Sequence, residues 1–159
     1  MKQDLHISLV RISIHVHPTE LLEKVKMALC NLLQIDPEGL DKRLDTAVLE
    51  GDYGNKIHVL TYVLKSQKEI DAFVQQLKEK LPNDHKNVLR QNFESFYNGD
   101  NKTLYLRLHK QLALQNIFRI SQYDDIIHVG IKFTAYSKLS IDGEHPNILK
   151  FLLDTGIIA

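Results

Sequence analysis

Two runs rich in β-favouring residues, Leu44 to Glu50 and Lys56 to Leu64, are joined by Glu50-Gly51-Asp52-Tyr53-Gly54-Asn55, and this bracketed connection constrains the chain more than any other stretch. Glycine accepts positive φ and close backbone approach, so a pair of them around a tyrosine specifies a sharp turn, and the flanking runs become a hairpin. Asn55 can hold such a turn through its side-chain amide. Tyr53 then either packs inward or stands out as a contact residue beside Asn55 and Lys56.

Further along, Leu104-Tyr105-Leu106-Arg107-Leu108-His109-Lys110-Gln111 alternates strictly, placing leucines on one face and Tyr105, Arg107 and His109 on the other. Val10, Ile12, Ile14 and Val16 alternate with Arg11, Ser13 and His15 and read as a first strand, whereas Leu5, Ile7 and Leu9 alternate in the opposite phase. The phase change marks a bulge, a bend or the strand's true beginning. Shorter strands are expected near Ile117 to Ile120 and from Ile126 to Phe133, with Tyr123-Asp124-Asp125 as the turn between them.

Helical spacing appears in four places. After Pro18, which suits a first helical turn, Leu21, Leu22, Val25, Ala28, Leu29, Leu32 and Leu33 form an apolar stripe ending near Gln34. Asp36-Pro37-Glu38-Gly39 reads as a turn. Ser66-Gln67-Lys68-Glu69 has capping-box spacing and opens a helix whose inner face is Ile70, Phe73, Val74 and Leu77. Pro82 separates it from another helix through Val88, Leu89, Phe93 and Phe96 to Asn98-Gly99-Asp100, and a last helix is expected from Pro146 to about Asp154.

At 159 residues the chain suits one domain, with a C-terminal helical extension at about 145–159, and needs no disulfide or structural metal to fold. Strands and helices do not alternate regularly, so the fold class is α+β, a largely antiparallel sheet with helices packed mainly on one face. Acidic and basic residues balance at 20 each, so any nucleic-acid binding must come from a local patch. Cys30 is the single cysteine and sits in an apolar helical pattern, which predicts a reduced core thiol and an intracellular, cytoplasmic location. No apolar run approaches the roughly 18 residues of a membrane span.

Assigning each strand's apolar set to the core leaves Arg11, Ser13 and His15 on the opposite face of the first strand. The same operation leaves His58 and Tyr62, then Tyr105, Arg107 and His109, then His128 and Lys132, on the other strands. If those strands are neighbours, one surface gathers aromatic, imidazole and cationic groups. Tyrosine can stack on an unpaired base, and arginine can pair with phosphate. A solvated sheet face shows the same alternation without any ligand. No phosphate loop, dinucleotide fingerprint or nucleophile elbow occurs, so neither a catalytic residue nor a cofactor is expected. Eight histidines are present, yet no metal-binding spacing accompanies them and no metal site is expected.

Glu50-Gly51, Tyr53-Gly54-Asn55, Leu104-Tyr105-Leu106-Arg107-Leu108, Lys110-Gln111 and Val16-His17-Pro18-Thr19-Glu20 together resemble a family of small archaeal proteins assigned to RNA binding and to association with the RNA-degrading exosome. The likeness runs from the first strand through Phe133. The family typically has an aspartate where this chain has His109. The resemblance implies a fold like that of the 5S-RNA-binding large-subunit ribosomal protein, and a non-enzymatic RNA-binding accessory role on single-stranded or structured RNA. Exosome subunits are the implied protein partners. It implies RNA contacts by Tyr53, Asn55, Lys56, Tyr105, Arg107, His109 and Lys110, with Arg107 and Lys110 on phosphate and the two tyrosines stacking. A different class of function, motivated by the apolar segment Phe151 to Ile157, is a protein interaction module that uses the sheet edge or terminal helix on a partner or a second copy.

Overall fold

Alternation of buried and open positions builds the strands of the computed structural model, which describes residues 5–51, 53–135 and 144–158, and the side chains of all these except 135 and 144–147. Asp52 of the hairpin connection and Pro146 of the last helix therefore lie outside the described side chains. The elements in order are β1 (Leu5–Val16), α1 (Leu22–Leu33), α2 (Pro37–Arg43), β2 (Asp45–Glu50), β3 (Lys56–Leu64), α3 (Gln67–Lys80) and α4 (Asn83–Gln91). They continue with α5 (Phe93–Phe96), β4 (Tyr97–Asn98), β5 (Thr103–His109), α6 (Lys110–Leu114), β6 (Ile126–Ala135) and α7 (Glu144–Thr155). This is the expected α+β class: a six-stranded antiparallel sheet, in the order β2-β3-β1-β6-β5-β4, with seven helices among the described residues.

The hairpin forms as read, with β2 antiparallel to β3 and Glu50 opposite Lys56. Its connection closes through Gly51 N–H to the Asn55 carbonyl at 2.7 Å and Gly54 N–H to the Gly51 carbonyl at 3.1 Å. Gly54 has φ 74°, a conformation that side chains resist.

Strand β1 runs the full length of both alternation phases. Leu5 and Ile7 are buried, then Val10, Ile12, Ile14 and Val16, with half-buried Ser8 and Leu9 at the change. On neighbouring β6, Ser8 meets Thr134 side chain to side chain at 2.7 Å, whereas the His15 and His128 rings lie 6.1 Å apart. The first pair sums to an even number and the second to an odd one, so one strand carries an extra residue between them. Burial on β6 keeps an unbroken alternation from Ile127 to Phe133, which assigns the bulge to β1 at Ser8–Leu9.

By packing, the chain falls into two compact units, Met1–Val10 with Leu64–Leu106 and Gly130–Ala159, and Arg11–Val63 with Arg107–Val129. The first has an aromatic chain in its core, in which Phe93 stacks on Tyr97 at 5.1 Å and Phe133 meets Tyr97 and Phe151 edge-on. Ser66 caps α3 by accepting from Glu69 N–H at 3.2 Å, and Ile70, Phe73 and Leu77 are buried as the spacing predicts. The helix after Pro82 is broken at Asn92 into α4 and α5, and Val88 is exposed. In α7, Ile148 and Leu152 are buried while Leu153 is exposed.

The second unit departs from expectation in three places. Pro18 opens a turn, closed by Glu20 N–H to the His17 carbonyl at 3.0 Å, and α1 begins later, leaving Leu21 65% exposed. Asp36-Pro37-Glu38-Gly39 begins helix α2, because Asp36 accepts from Gly39 N–H at 2.7 Å and Pro37 occupies the first turn; Leu40 is fully buried beneath it. The strand expected at Ile117 to Ile120 shrinks to one bridge between Leu108 and Ile120.

Candidate nucleic-acid interface

Lys110 is the largest correction to the sequence reading. Its side chain is 2% exposed, and its ammonium donates to Glu20 Oε1 at 2.8 Å and to the His15 carbonyl at 2.9 Å. Asp125 Oδ1 completes the set as an ion-pair contact at 2.5 Å. A lysine offers three donors, so this one is saturated and has none left for a phosphate. Burial alone would raise the Asp125 carboxyl pKa; hydrogen bonds from Lys110 and Gln111 outweigh it and hold the value below normal. His17, Glu20 and Asp125 also bring metal-ligating atoms within 4.8 Å of one another. The cation these carboxylates hold is the Lys110 ammonium.

His109, expected on RNA, instead accepts from Leu112 N–H through Nδ1 at 3.1 Å and caps α6. An aspartate carboxylate, which the resemblance implies at this position, would supply the same acceptor. Asn31 closes the other end of α6, donating to the Ala113 and Leu114 carbonyls at 3.0 and 3.1 Å.

The polar face of the second unit carries basic side chains, among which His15, His128 and Arg107 lie close together. Arg11, His15 and His128 are exposed, and half-buried Arg107 holds the Tyr123 carbonyl at 3.0 Å through Nη2 while its Nε is buried without a partner among the described residues. Burial, then the His15 and Arg107 charges, push the His128 pKa down. All the electrostatic neighbours that act on this imidazole are basic.

On the hairpin, Tyr53 is 91% exposed and Asn55 and Lys56 stand open beside it. His58 and Tyr62 do not share that openness. Tyr62 is 3% exposed, in one row with buried Leu60 and Leu64, and the Arg43 guanidinium lies 5.0 Å over its ring. The inner face of β3 is the row of Leu60, Tyr62 and Leu64, and Arg43 of α2 lies over Tyr62, a cover with no signal in the sequence. His58 belongs to the same row and is half-buried, with Nδ1 unpartnered among the described residues.

In the first unit, Tyr105 is 45% exposed, its hydroxyl accepting from Asn101 Nδ2 at 2.7 Å, and Lys132 is exposed. Of the thirteen residues expected at an interface, Tyr62 and Lys110 are buried and His109 is engaged as a cap. Glu20, Asp125 and Asn31, which fix the local frame, carried no spacing signal that would single them out.

A family model described as RNA binding matches residues 9–133. The RNA-binding protein PAB1135 of Pyrococcus abyssi is 31% identical over 127 residues, covering 80% of this chain and 82% of that protein. The solved DUF54 protein AF2318 from Archaeglobus fulgidus has a TM-score of 0.74 at 26% identity, covering 94% of this chain and 99% of its own. The DUF54 protein Mth689 from Methanothermobacter thermautotrophicus has a TM-score of 0.67 at 25% identity, covering 89% of this chain and 97% of its own. A 94% share is more than residues 1–133 could supply, so part of the chain beyond Phe133 is common to that fold. With residues 9–133 matched, the chain belongs to this archaeal RNA-binding family.

Proposed function

We propose that this chain is a non-catalytic RNA-binding accessory protein of RNA processing, working beside the exosome. The basic face made by exposed Arg11, His15 and His128 with half-buried Arg107 carries the reading, since an anionic ligand is what such a face attracts. Family membership supports RNA as that anion, and the resemblance to exosome-associated proteins supports the processing context. Tyr53, Asn55 and Lys56 at the hairpin tip offer a second contact of the same chemistry.

Fluorescence anisotropy with a short single-stranded RNA and a duplex, at low and moderate salt, tests the proposal. Binding should weaken with salt, and Arg11→Ala should lower the log–log salt slope by about 0.7 for single-stranded RNA. A parent protein that binds neither RNA at low salt would overturn it.

One observation favours a second reading, a protein interaction module. Strand β2 is an outer strand of the sheet and all six of its residues are exposed, with Val48 at 52% and Leu49 at 50%. Exposed outer strands template pairing with other chains. Loss of partner capture in Val48→Lys, with RNA affinity retained, would favour that reading.

A further inference from the structure

The turn from Asn98 to Lys102, between β4 and β5, is more tightly organised than a connection of its length requires. Asn98 Oδ1 accepts from the N–H groups of Asp100 at 2.9 Å and Asn101 at 3.4 Å. Lys102 sits in the left-handed region with φ 54°, a conformation that a lysine resists. Asn101 uses its amide to hold the Tyr105 hydroxyl.

Tyr105 in turn lies against Gly130 of β6. A Cβ on Gly130 would stand 3.5 and 3.7 Å from the ring's Cε1 and Cδ1, ordinary contact distances, so the ring lies over the neighbouring strand. The ring is thus tethered at its tip, backed on one side and 45% exposed. Beside it, Asp100, Asn101, Lys102, Lys132, Phe133 and Thr134 line an open cavity of about 320 Å³. Neither lysine ammonium has a hydrogen bond or ion pair among the described residues, while Asp100 is the one acid of the lining, so cations outnumber anions there.

We infer that this cavity and the Tyr105 ring form a subsite for one unpaired nucleotide, the base stacking on the ring and a phosphate lying between Lys102 and Lys132. The inference rests on the RNA-binding reading and adds to it a ligand class, a nucleotide outside a duplex, together with Asn101 and Lys102 as site residues. A base within a duplex keeps both faces stacked on its neighbours and cannot meet the ring. The volume, at the small end of ligand pockets, suits a single nucleotide.

Equilibrium binding of an eight-nucleotide single-stranded RNA and a duplex of equal length separates the outcomes. Tyr105→Leu should weaken single-strand binding by about five- to 150-fold, the range for loss of one stacked base, and leave duplex binding within about twofold. Lys102→Gln combined with Lys132→Gln should lower the single-strand salt slope by about 0.7, the share of the one phosphate they hold. Asn101→Ala keeps the ring, removes its tether and should give a smaller loss at an unchanged melting temperature. If the parent binds RNA and these variants match it, or lose duplex and single strand equally, the subsite is wrong and the RNA-binding reading stands. A parent that binds no RNA removes both.

Discussion

At the scale of single residues, the most consequential side chain is one whose partners lie 90 and 95 positions away in sequence. Lys110 follows a basic and aromatic strand and ends its alternation, so pattern assigns it to a phosphate; only the fold brings Glu20, Asp125 and the His15 carbonyl around it. Removing its charge leaves two carboxylates facing each other. Because those carboxylates are 19% and 40% exposed, Lys110→Met should cost about 2–3 kcal/mol, below the full penalty for an uncompensated buried charge. Urea unfolding measures that loss, and the RNA salt slope of the still-folded variant should match the parent. The Asp125 carboxyl, held below its ordinary value of 3.8, stabilises the fold above that pH and loses the contribution as pH falls through the folded value. Acid titration of Asp125→Asn should therefore show a shallower loss of stability at the acid end than the parent, with a lower plateau at neutral pH.

At the scale of elements, what sequence could reveal was whatever local chemistry decides. The β2–β3 hairpin follows from turn residues and β propensity, α3 from Ser66 and a 3.6-residue apolar row, and β5 from strict alternation. Two competing local signals hid α2: Asp36-Pro37 opens a turn or caps a helix equally well, and burial of Leu40 settles the choice. The phase change at Ser8–Leu9 was visible as a discontinuity, but only pairing with β6 assigns it to a bulge. Helix α6 is the clearest case of an element held from outside itself. Five residues are too few for an autonomous helix, and His109 at one end, Asn31 at the other and Lys110 beneath supply what length does not. His109→Ala should cost about 1 kcal/mol through loss of the cap, whereas His109→Asp should keep full stability by restoring a carboxylate acceptor. Thermal melts of the two variants at neutral pH distinguish capping from a role confined to RNA, since a contact residue would leave both melting temperatures unchanged.

At the scale of the molecule, a chain with 20 acidic and 20 basic residues has no net field to draw RNA, so affinity must depend on how a few groups are placed and protonated. His128 is the group most exposed to that condition. Burial, His15 and Arg107 disfavour its charged form, so in the free protein its pKa lies below 6.5; the fold has its full share of stability above that value and loses it as pH falls through the lowered one. A phosphate on the same face reverses the balance, because a negative charge beside the imidazole favours the proton that its basic neighbours oppose. RNA binding should then take up protons, and affinity should rise as pH is lowered from about 8 to 6 at fixed ionic strength, by at most about tenfold per pH unit for one proton. His128→Gln should flatten that dependence and leave binding at the alkaline end nearly intact, while replacing His85 on α4, in the other unit, should change neither. An equal slope in parent and His128→Gln would mean that RNA does not reach this face, and its basic side chains would then serve solubility alone.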